Sequence, residues 1–380
     1  MKKILVMPFL NIPSGHHQVA DAVMEWIQYV DSSVEYDKVD IIEYSYGRLV
    51  SVISAGYVHF IRLFPKAYSY MYRKLFYSPD SEEKRFRMYE WLFMNDMKKL
   101  LEEKQPDCII CTHALPSYLA NRMKISGLLT TPVINVYTDL FVNDIWGIQG
   151  IDYHLVPNLH IKEWLQQKGV LETRIFVTGI PTHPQITRSK KRLLHSNSAI
   201  HVLVAGGSLG IGGMRSFLKR NSVTENVHYF VLCGKNIRLY QELLKLNQSQ
   251  ITPLPYIYSR EEMNRLYDEV DIIVTKAGGV TISEGLMKRI PILVYDTLPG
   301  QEEINLQYLK HMGLIFDLQD WNQTKTVEDT IIAILKSKHQ LEEVLEKMEE
   351  YERQISDNNL PYIFNRILQT QVHAGMAENM

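Results

Sequence analysis

The sequence predicts an α/β fold of two doubly wound parallel sheets, one in each half of the chain. Short apolar runs of strand length alternate with helical periodicity almost throughout, the pattern of parallel sheets covered by helices. That alternation lapses in the polar, basic, turn-rich stretch THPQITRSKKRLLHSNSA, from Thr182 to Ala199, and then resumes. At 380 residues there is chain enough for two domains, each with its own core. The boundaries expected are 1–182 for a first domain, 183–198 for a linker and 199–355 for a second domain. Residues 356–380 are left as a C-terminal helix and tail, with the option of packing back on the first domain.

In the first half, strands are expected at Ile4–Met7, Val34–Ile42, Asp107–Cys111, Val133–Tyr137, Tyr153–Val156 and Ile175–Thr178. After the first of them, Val19, Ala22, Val23, Trp26, Ile27 and Val30 recur on one helical face. Strands of the second half are expected at His201–Ala205, Tyr229–Cys233, Ile251–Tyr256, Ile272–Thr275, Ile292–Tyr295 and Leu314–Phe316. Helices intervene at Gly213–Lys219, Asn236–Leu246, Arg260–Val270 and Gln301–Met312, followed by Asp329–Leu335 and Leu341–Gln354. Pro361–Leu368 reads as a last short helix and the tail from Gln369 as frayed. Ligands of such sheets bind outside the carboxyl ends of the strands, so two domains facing each other imply a central cleft.

Composition narrows the class. Hydrophobic residues make up 46% and charged residues 22%, and the formal net charge of -2 gives no overall reason to expect nucleic acid. Cys108, Cys111 and Cys233 sit in or at the ends of apolar runs. Although Cys108 and Cys111 have a redox or zinc spacing, Ile109 and Ile110 between them argue for reduced thiols in a buried strand. The apolar start Ile4-Leu5-Val6-Met7 stops at Pro8, and no apolar run approaches the length of a membrane span. A cytosolic protein is expected, with a form bound to the membrane surface left open.

Three glycine-bearing loops each follow a strand: Pro13-Ser14-Gly15-His16-His17, Ala205 to Gly213, and Lys276-Ala277-Gly278-Gly279. A strand that turns on glycines into a helix gathers unpaired N–H groups and a positive helix end, which suits phosphate. Glycine at one such turn is often a backbone necessity; three in two domains form a stronger signal. The Ala205 loop lacks the Gly-Lys-Ser/Thr of a Walker loop and the dinucleotide spacing. No Asp-x-Asp occurs and no His/Cys/carboxylate spacing argues for a metal, so a leaving phosphate would fall to helix ends, N–H groups, Ser208 and Thr281. After the next strand, Pro299-Gly300-Gln301-Glu302-Glu303 brings amides and carboxylates suited to sugar hydroxyls, which suggests a nucleotide-sugar pocket. Thr281-Ile282-Ser283-Glu284 also spells a capping box, a structural use for Glu284.

The region Tyr44–Phe93 departs from the alternation. It holds 14 aromatics, and its basic residues, Arg62, Lys66, Arg73 and Lys74 among them, outnumber its acids. The runs Val50–Ile53, Val58–Phe64 and Tyr68–Lys74 suggest amphipathic helices bordered by tyrosines and cations, which suit an anionic bilayer surface. A helical insertion whose aromatics pack on the domain explains the composition equally well.

Several stretches carry a family resemblance in order along nearly the whole chain. They are Gly15-His16-His17-Gln18-Val19-Ala20, Tyr137-Thr138-Asp139 with Trp146, and Thr178-Gly179-Ile180-Pro181. Ala205-Gly206-Gly207-Ser208, Cys233-Gly234-Lys235-Asn236, Lys276–Glu284 and Pro299-Gly300-Gln301-Glu302 complete them. The chain resembles the monogalactosyldiacylglycerol synthase / processive diacylglycerol glucosyltransferase family and, more distantly, the N-acetylglucosaminyltransferase of peptidoglycan lipid intermediates. The resemblance implies GT-B architecture and an inverting, metal-independent transfer from UDP-glucose or UDP-galactose to a lipid acceptor. The UDP-sugar would be a co-substrate, with no cofactor. The first domain would face acceptor and membrane, the second would bind the donor, and the protein would sit peripherally on the inner face of the cell membrane.

By position, the resemblance implies His16 as general base, and a neutral imidazole suits that work. Asp139 is implied to orient His16 or take the acceptor's proton, with a turn-forming aspartate as the rival reading. Glu284 is implied to hold the ribose hydroxyls, Gln301 and Glu302 the donor sugar. Gly207, Ser208, Gly278, Gly279 and Thr281 are implied around the diphosphate; Asn236 and the Tyr256–Ile257 loop fall near the uracil. Gly15 belongs to the acceptor side, as does Asn143, which stands where the family usually has a histidine and cannot titrate. Ala277 replaces the common proline before the glycine pair. Two rivals remain at this stage: a UDP-N-acetylglucosamine 2-epimerase-like enzyme on the same architecture, and a non-catalytic nucleotide-sugar binder.

Overall fold

The computed structural model describes residues 2–9, 15–47, 50, 56, 59–61, 63–77, 84–188, 199–206, 225–318, 326–356 and 360–367. They divide into two compact units, one running to Pro184 and including the segment from Arg353 onward, the other spanning Gln185–Glu352.

Unit 1 is built on β1 (Lys3–Met7), β2 (Glu35–Lys38), β3 (Cys108–Cys111), β4 (Val133–Val136), β5 (Tyr153–Val156) and β6 (Ile175–Val177). They form a parallel sheet in the order β2-β1-β3-β4-β5-β6. Central strands β3 and β4 are buried along their whole length, which is why they read as continuous apolar runs. Edge strand β2 is mostly exposed. The helices Gly15–Val30, Arg87–Lys104, Ala114–Ile125 and Leu159–Gln167 accompany the sheet, and Met97, Leu100, Tyr118 and Leu119 share a core with Leu5, Ile109 and Val133. Each such side chain, fully buried, contributes about 1.5–3 kcal/mol. The cysteines of β3 are free and buried; three apart on a strand, they face opposite sides of the sheet. From the C-terminal segment, Ile355 packs on this core and the Arg366 guanidinium lies 5.8 Å from the Phe176 ring centroid.

Unit 2 repeats the plan with β7 (Ile200–Ala205), β8 (Val227–Leu232), β9 (Ile251–Leu254), β10 (Ile272–Lys276), β11 (Ile292–Asp296) and β12 (Phe316–Asp317). Their order is β12-β11-β10-β7-β8-β9. Helix Gly279–Lys288 lies close against β10 and β11, because a Cβ added at Gly285 would stand 2.9 Å from Ile292 Cδ1 and 3.0 Å from Ile273 Cδ1.

Some expected boundaries move. The strand expected over Val34–Ile42 ends at Lys38, since Asp40 accepts the Ile42 N–H at 2.9 Å and starts the helix Ile41–Tyr46. The strand expected to reach Tyr256 stops at Leu254, and the one expected at Leu314–Phe316 is Phe316–Asp317. A full capping box at Thr326 and Asp329 begins the helix Val327–Lys336 ahead of its expected start. The helix expected at Gly213–Lys219 lies outside the described residues.

Candidate active site

In unit 1 the strand order reverses between β1 and β3, the place where open α/β sheets hold ligands. The helices Gly15–Val30 and Ala114–Ile125 both start there, and each start carries a histidine, His16 and His113. His16 Nδ1 lies 3.0 Å from the Thr112 carbonyl oxygen and 2.8 Å from the Thr138 hydroxyl. A carbonyl can only accept, so the network assigns the proton to Nδ1, which donates to both oxygens. Thr112 Oγ1 donates in turn to the His16 carbonyl at 3.1 Å. The neutral ring therefore keeps its lone pair on Nε2. Burial lowers the His16 pKa from 6.5, while the charge of Asp139 and the bond to Thr112 raise it. These opposing influences leave a neutral base at neutral pH.

His113 was not singled out in the sequence. Its Nδ1 accepts the Leu115 N–H at 3.1 Å and so caps its helix. The ring stacks on Phe9, with centroids 3.8 Å apart and planes within 4°, and meets the His16 ring edge-on at 4.8 Å. Burial, and then the neighbouring His16, hold its pKa well below 6.5. The available signal was a histidine two residues after a buried strand and immediately before a helix.

Tyr137, Thr138 and Asp139 follow β4. Tyr137 donates to His154 Nδ1 at 2.9 Å and its ring lies 4.6 Å from that of Trp146, so the motif is anchored by its aromatic member. His16 is oriented by its contacts to Thr112 and Thr138, and Asp139 acts on the ring through its charge. Gly15 opens its helix and is exposed. Asn143 is buried, its Oδ1 accepting the Ile145 N–H at 3.0 Å and its Nδ2 donating to the Tyr72 hydroxyl at 3.2 Å. Both ends of the amide are thus committed to structure.

Tyr72 belongs to the helix Pro65–Phe76, where Tyr68 and Tyr72 are buried and Lys66, Arg73 and Lys74 are exposed. Leu63, Phe64, Tyr70 and Leu75 are exposed beside those cations. The packed-insertion reading therefore describes the buried tyrosines, and the amphipathic reading describes the outer surface. Arg62 lies outside the described residues. No described helix is long and apolar enough to cross a membrane.

In unit 2 the strand order reverses between β7 and β10. Gly278 is the N-cap of helix Gly279–Lys288 and makes no side-chain cap bond, so the helix start at Gly279, Val280 and Thr281 is of the kind that suits an anion. Lys276, just before this loop, is only 5% exposed and has no ion pair among the described residues. A buried cation without a partner is costly, which makes an anion its natural complement. Sequence reasoning had given Lys276 no role.

Glu302 stands beside the same loop: a Cβ added at Gly278 would lie 3.7 Å from its Oε1, and its Oε2 accepts the Leu298 N–H at 2.6 Å. Gln301 begins the helix Gln301–His311, and Asn305 of that helix donates to the Ala277 carbonyl at 3.2 Å. Gly300 turns into this helix at φ 85°, a region that favours glycine. The capping box expected at Thr281–Glu284 is not formed, because the helix starts at Gly279 and encloses Thr281. Glu284 is instead 5% exposed and accepts from the Tyr267 hydroxyl at 2.7 Å. Burial raises its pKa above 4.5, against the opposing pull of Tyr267 and Arg260. Asn236 caps the helix Ile237–Leu246 by accepting the Leu239 N–H at 3.0 Å, beside Lys235, whose Nζ lies 5.6 Å from the Tyr256 ring centroid. Gly207 and Ser208 lie outside the described residues.

Residues 16–182 match the family model described as Monogalactosyldiacylglycerol (MGDG) synthase, and residues 201–358 match the Glycosyltransferase family 28 C-terminal domain. The chain is similar to the uncharacterized glycosyltransferase YkoN of Bacillus subtilis (strain 168), 41% identical over 371 residues covering 98% of each chain. It is also similar to the processive diacylglycerol beta-glucosyltransferase of Bacillus pumilus (strain SAFR-032), 26% identical over 91% of this chain and 90% of the relative. Among solved structures, Acinetobacter baumannii MurG aligns with a TM-score of 0.58 at 15% identity, over 97% of this chain and 99% of that one. That likeness is one of fold, the GT-B arrangement of two parallel-sheet domains.

Proposed function

Because this chain belongs to the monogalactosyldiacylglycerol synthase / processive diacylglycerol glucosyltransferase family and is a glycosyltransferase, we propose that it moves a hexose from a UDP-sugar to the free hydroxyl of a diacylglycerol-type lipid. The observation that carries this reading is the state of His16. Its Nδ1–H is committed to Thr112 and Thr138, so Nε2 is the basic atom offered to an acceptor.

The proposed reaction is one displacement. His16 Nε2 takes the hydroxyl proton, the oxygen's electron pair forms the bond to the anomeric carbon, and the bond from that carbon to the diphosphate breaks towards UDP. The glycoside formed has inverted configuration, and His16 leaves the step protonated. Asp139 stabilises that imidazolium, consistent with the upward pull of its charge on the His16 pKa.

Unit 2 is assigned the donor. The N–H groups from Gly279 onward, the Thr281 hydroxyl and the Lys276 ammonium would take the charge growing on the diphosphate, joined by Gly207 and Ser208. Glu284 would accept from the ribose hydroxyls, and Gln301 and Glu302 would read the hexose. The donor is UDP-glucose or UDP-galactose in this reading, and no step uses a metal ion or a cofactor. Exposed Lys66, Arg73 and Lys74 with neighbouring apolar side chains support peripheral binding to the anionic inner face of a membrane.

The test is UDP release and glycolipid formation in mixed micelles, with each UDP-sugar, with and without diacylglycerol. Acceptor-dependent UDP release with a matching glycolipid is expected. Sugar turnover without acceptor would favour a 2-epimerase-like enzyme, and donor binding without any product would favour a binding protein; either result overturns the proposal. Charge reversal of Lys66, Arg73 and Lys74 should sharply reduce co-sedimentation with anionic liposomes, and unchanged binding would remove the membrane part.

A further inference from the structure

The displacement above uses His16 and leaves its neighbour His113 with no chemical role. The two rings are held in opposite tautomers. His16 presents a bare Nε2, because its Nδ1–H is engaged by Thr112 and Thr138. His113 presents an Nε2–H, because its Nδ1 is filled by the Leu115 N–H. Among the described residues neither Nε2 has a hydrogen-bond partner. The rings touch edge-on at 4.8 Å, and the parallel stack on Phe9 fixes the plane of His113.

Capping alone does not explain this residue. A cap needs one acceptor, which asparagine or serine supplies from a smaller side chain. The surplus here is an oriented, neutral N–H donor beside a neutral base. Such a pair complements a neutral molecule with a hydroxyl on one carbon and an ester on the next. A phosphate or carboxylate would gain little from two uncharged imidazoles.

Resting on the transferase reading, the geometry points to His113 as the residue that selects an ester-bearing acceptor. Its Nε2–H donates to the acyl carbonyl adjacent to the hydroxyl that His16 deprotonates. The donated bond holds the glycerol backbone so that the hydroxyl faces His16 Nε2. An ether lipid of the same shape has no carbonyl there and leaves the donor unfilled.

The experiment compares kcat/KM for 1,2-diacylglycerol and a chain-matched 1,2-dialkylglycerol in mixed micelles, for the wild type, His113→Asn and His16→Ala. Asparagine can still cap the helix through its side-chain oxygen, so H113N is expected to fold, which a thermal melt checks. Its amide N–H groups, on a shorter side chain, stop short of the position of the imidazole Nε2–H. The wild type should prefer the diester by about ten-fold, the worth of one neutral hydrogen bond. H113N should bring the two lipids to within about two-fold by losing that bond, and H16A should lose activity on both. Equal use of the two lipids by the wild type, or a preference that survives in H113N, overturns the role of His113 while the transferase reading stands. Absence of transfer to either lipid by the wild type overturns both.

Discussion

Substitution of Glu284 separates a ligand-binding carboxylate from a structural one. Its Oε2 accepts from the Tyr267 hydroxyl at 2.7 Å inside unit 2, and burial holds its pKa above 4.5. A structural carboxylate in this setting would be a poor choice. Because the folded pKa is raised, folding is most favoured at low pH and loses that contribution as pH rises through the folded value. In Glu284→Gln, the amide oxygen can still accept from Tyr267 and the buried charge is gone. The melting temperature of E284Q at pH 7 should therefore equal or exceed that of the wild type. UDP binding should respond in the opposite way. Losing a charge-assisted bond to a ribose hydroxyl costs about 1.5–3 kcal/mol, roughly 10- to 150-fold in Kd. Wild-type affinity should also fall as acid protonates Glu284, and E284Q should lack that dependence. Calorimetric titration with UDP, paired with thermal melts, reads both quantities. A Kd for E284Q within about three-fold of wild type, which is less than one charge-assisted bond, or a lowered melting temperature, would refute the ribose assignment and return Glu284 to the fold.

Three other predictions rest on separate features. His154 is fully buried with its pKa pushed to about 3 by burial, so between there and 6.5 the unfolded chain binds a proton that the native state refuses. Stability should fall as pH drops below 6.5, by about 2 kcal/mol at pH 5 and about 4–8 °C in melting temperature; a profile flat from pH 7 to 5 would contradict this. Asp139→Asn removes the charge that raises the His16 pKa, so the acid limb of kcat/KM should move to lower pH while the plateau falls; an unmoved limb would show that Asp139 does not act on His16. Gly285→Ala forces a methyl to 2.9 Å from Ile292 Cδ1, which should destabilise unit 2 by about 1–3 kcal/mol and raise the donor KM by displacing the helix that starts at Gly279. Unaltered melting and donor KM in G285A would mean that the helix and sheet yield without cost.

The sheets were legible because both central regions are buried on two faces, and runs such as Cys108–Cys111 and Ile272–Lys276 write that burial directly into composition. Boundaries set by a single side chain were not. The strand expected through Ile42 ends early because Asp40 offers the backbone a competing bond, and the spacing Thr281–Glu284 mimics a cap inside a helix that already starts at Gly279. The donor loop was readable as a local motif from Lys276 to Glu302. Lys276 gained its interest only from burial with no ion pair among the described residues, and Asn305 from its bond to Ala277. On the acceptor side the essential contacts are distant in sequence. His16 meets Thr112 across 96 residues and Thr138 across 122, so the tautomer on which the chemistry rests had no local signature. Asn143 illustrates the converse: the expected histidine position was visible, and its use as a strut to Tyr72 was not.

The central claim, that His16 Nε2 removes the acceptor's proton, is tested most directly by the single-turnover rate of glycolipid formation in His16→Ala at saturating UDP-sugar and diacylglycerol. The rate should fall by about 10²–10⁴-fold, the usual worth of a positioned general base, with the Kd for UDP unchanged because unit 2 is untouched. A single-turnover rate within a few-fold of wild type would contradict it.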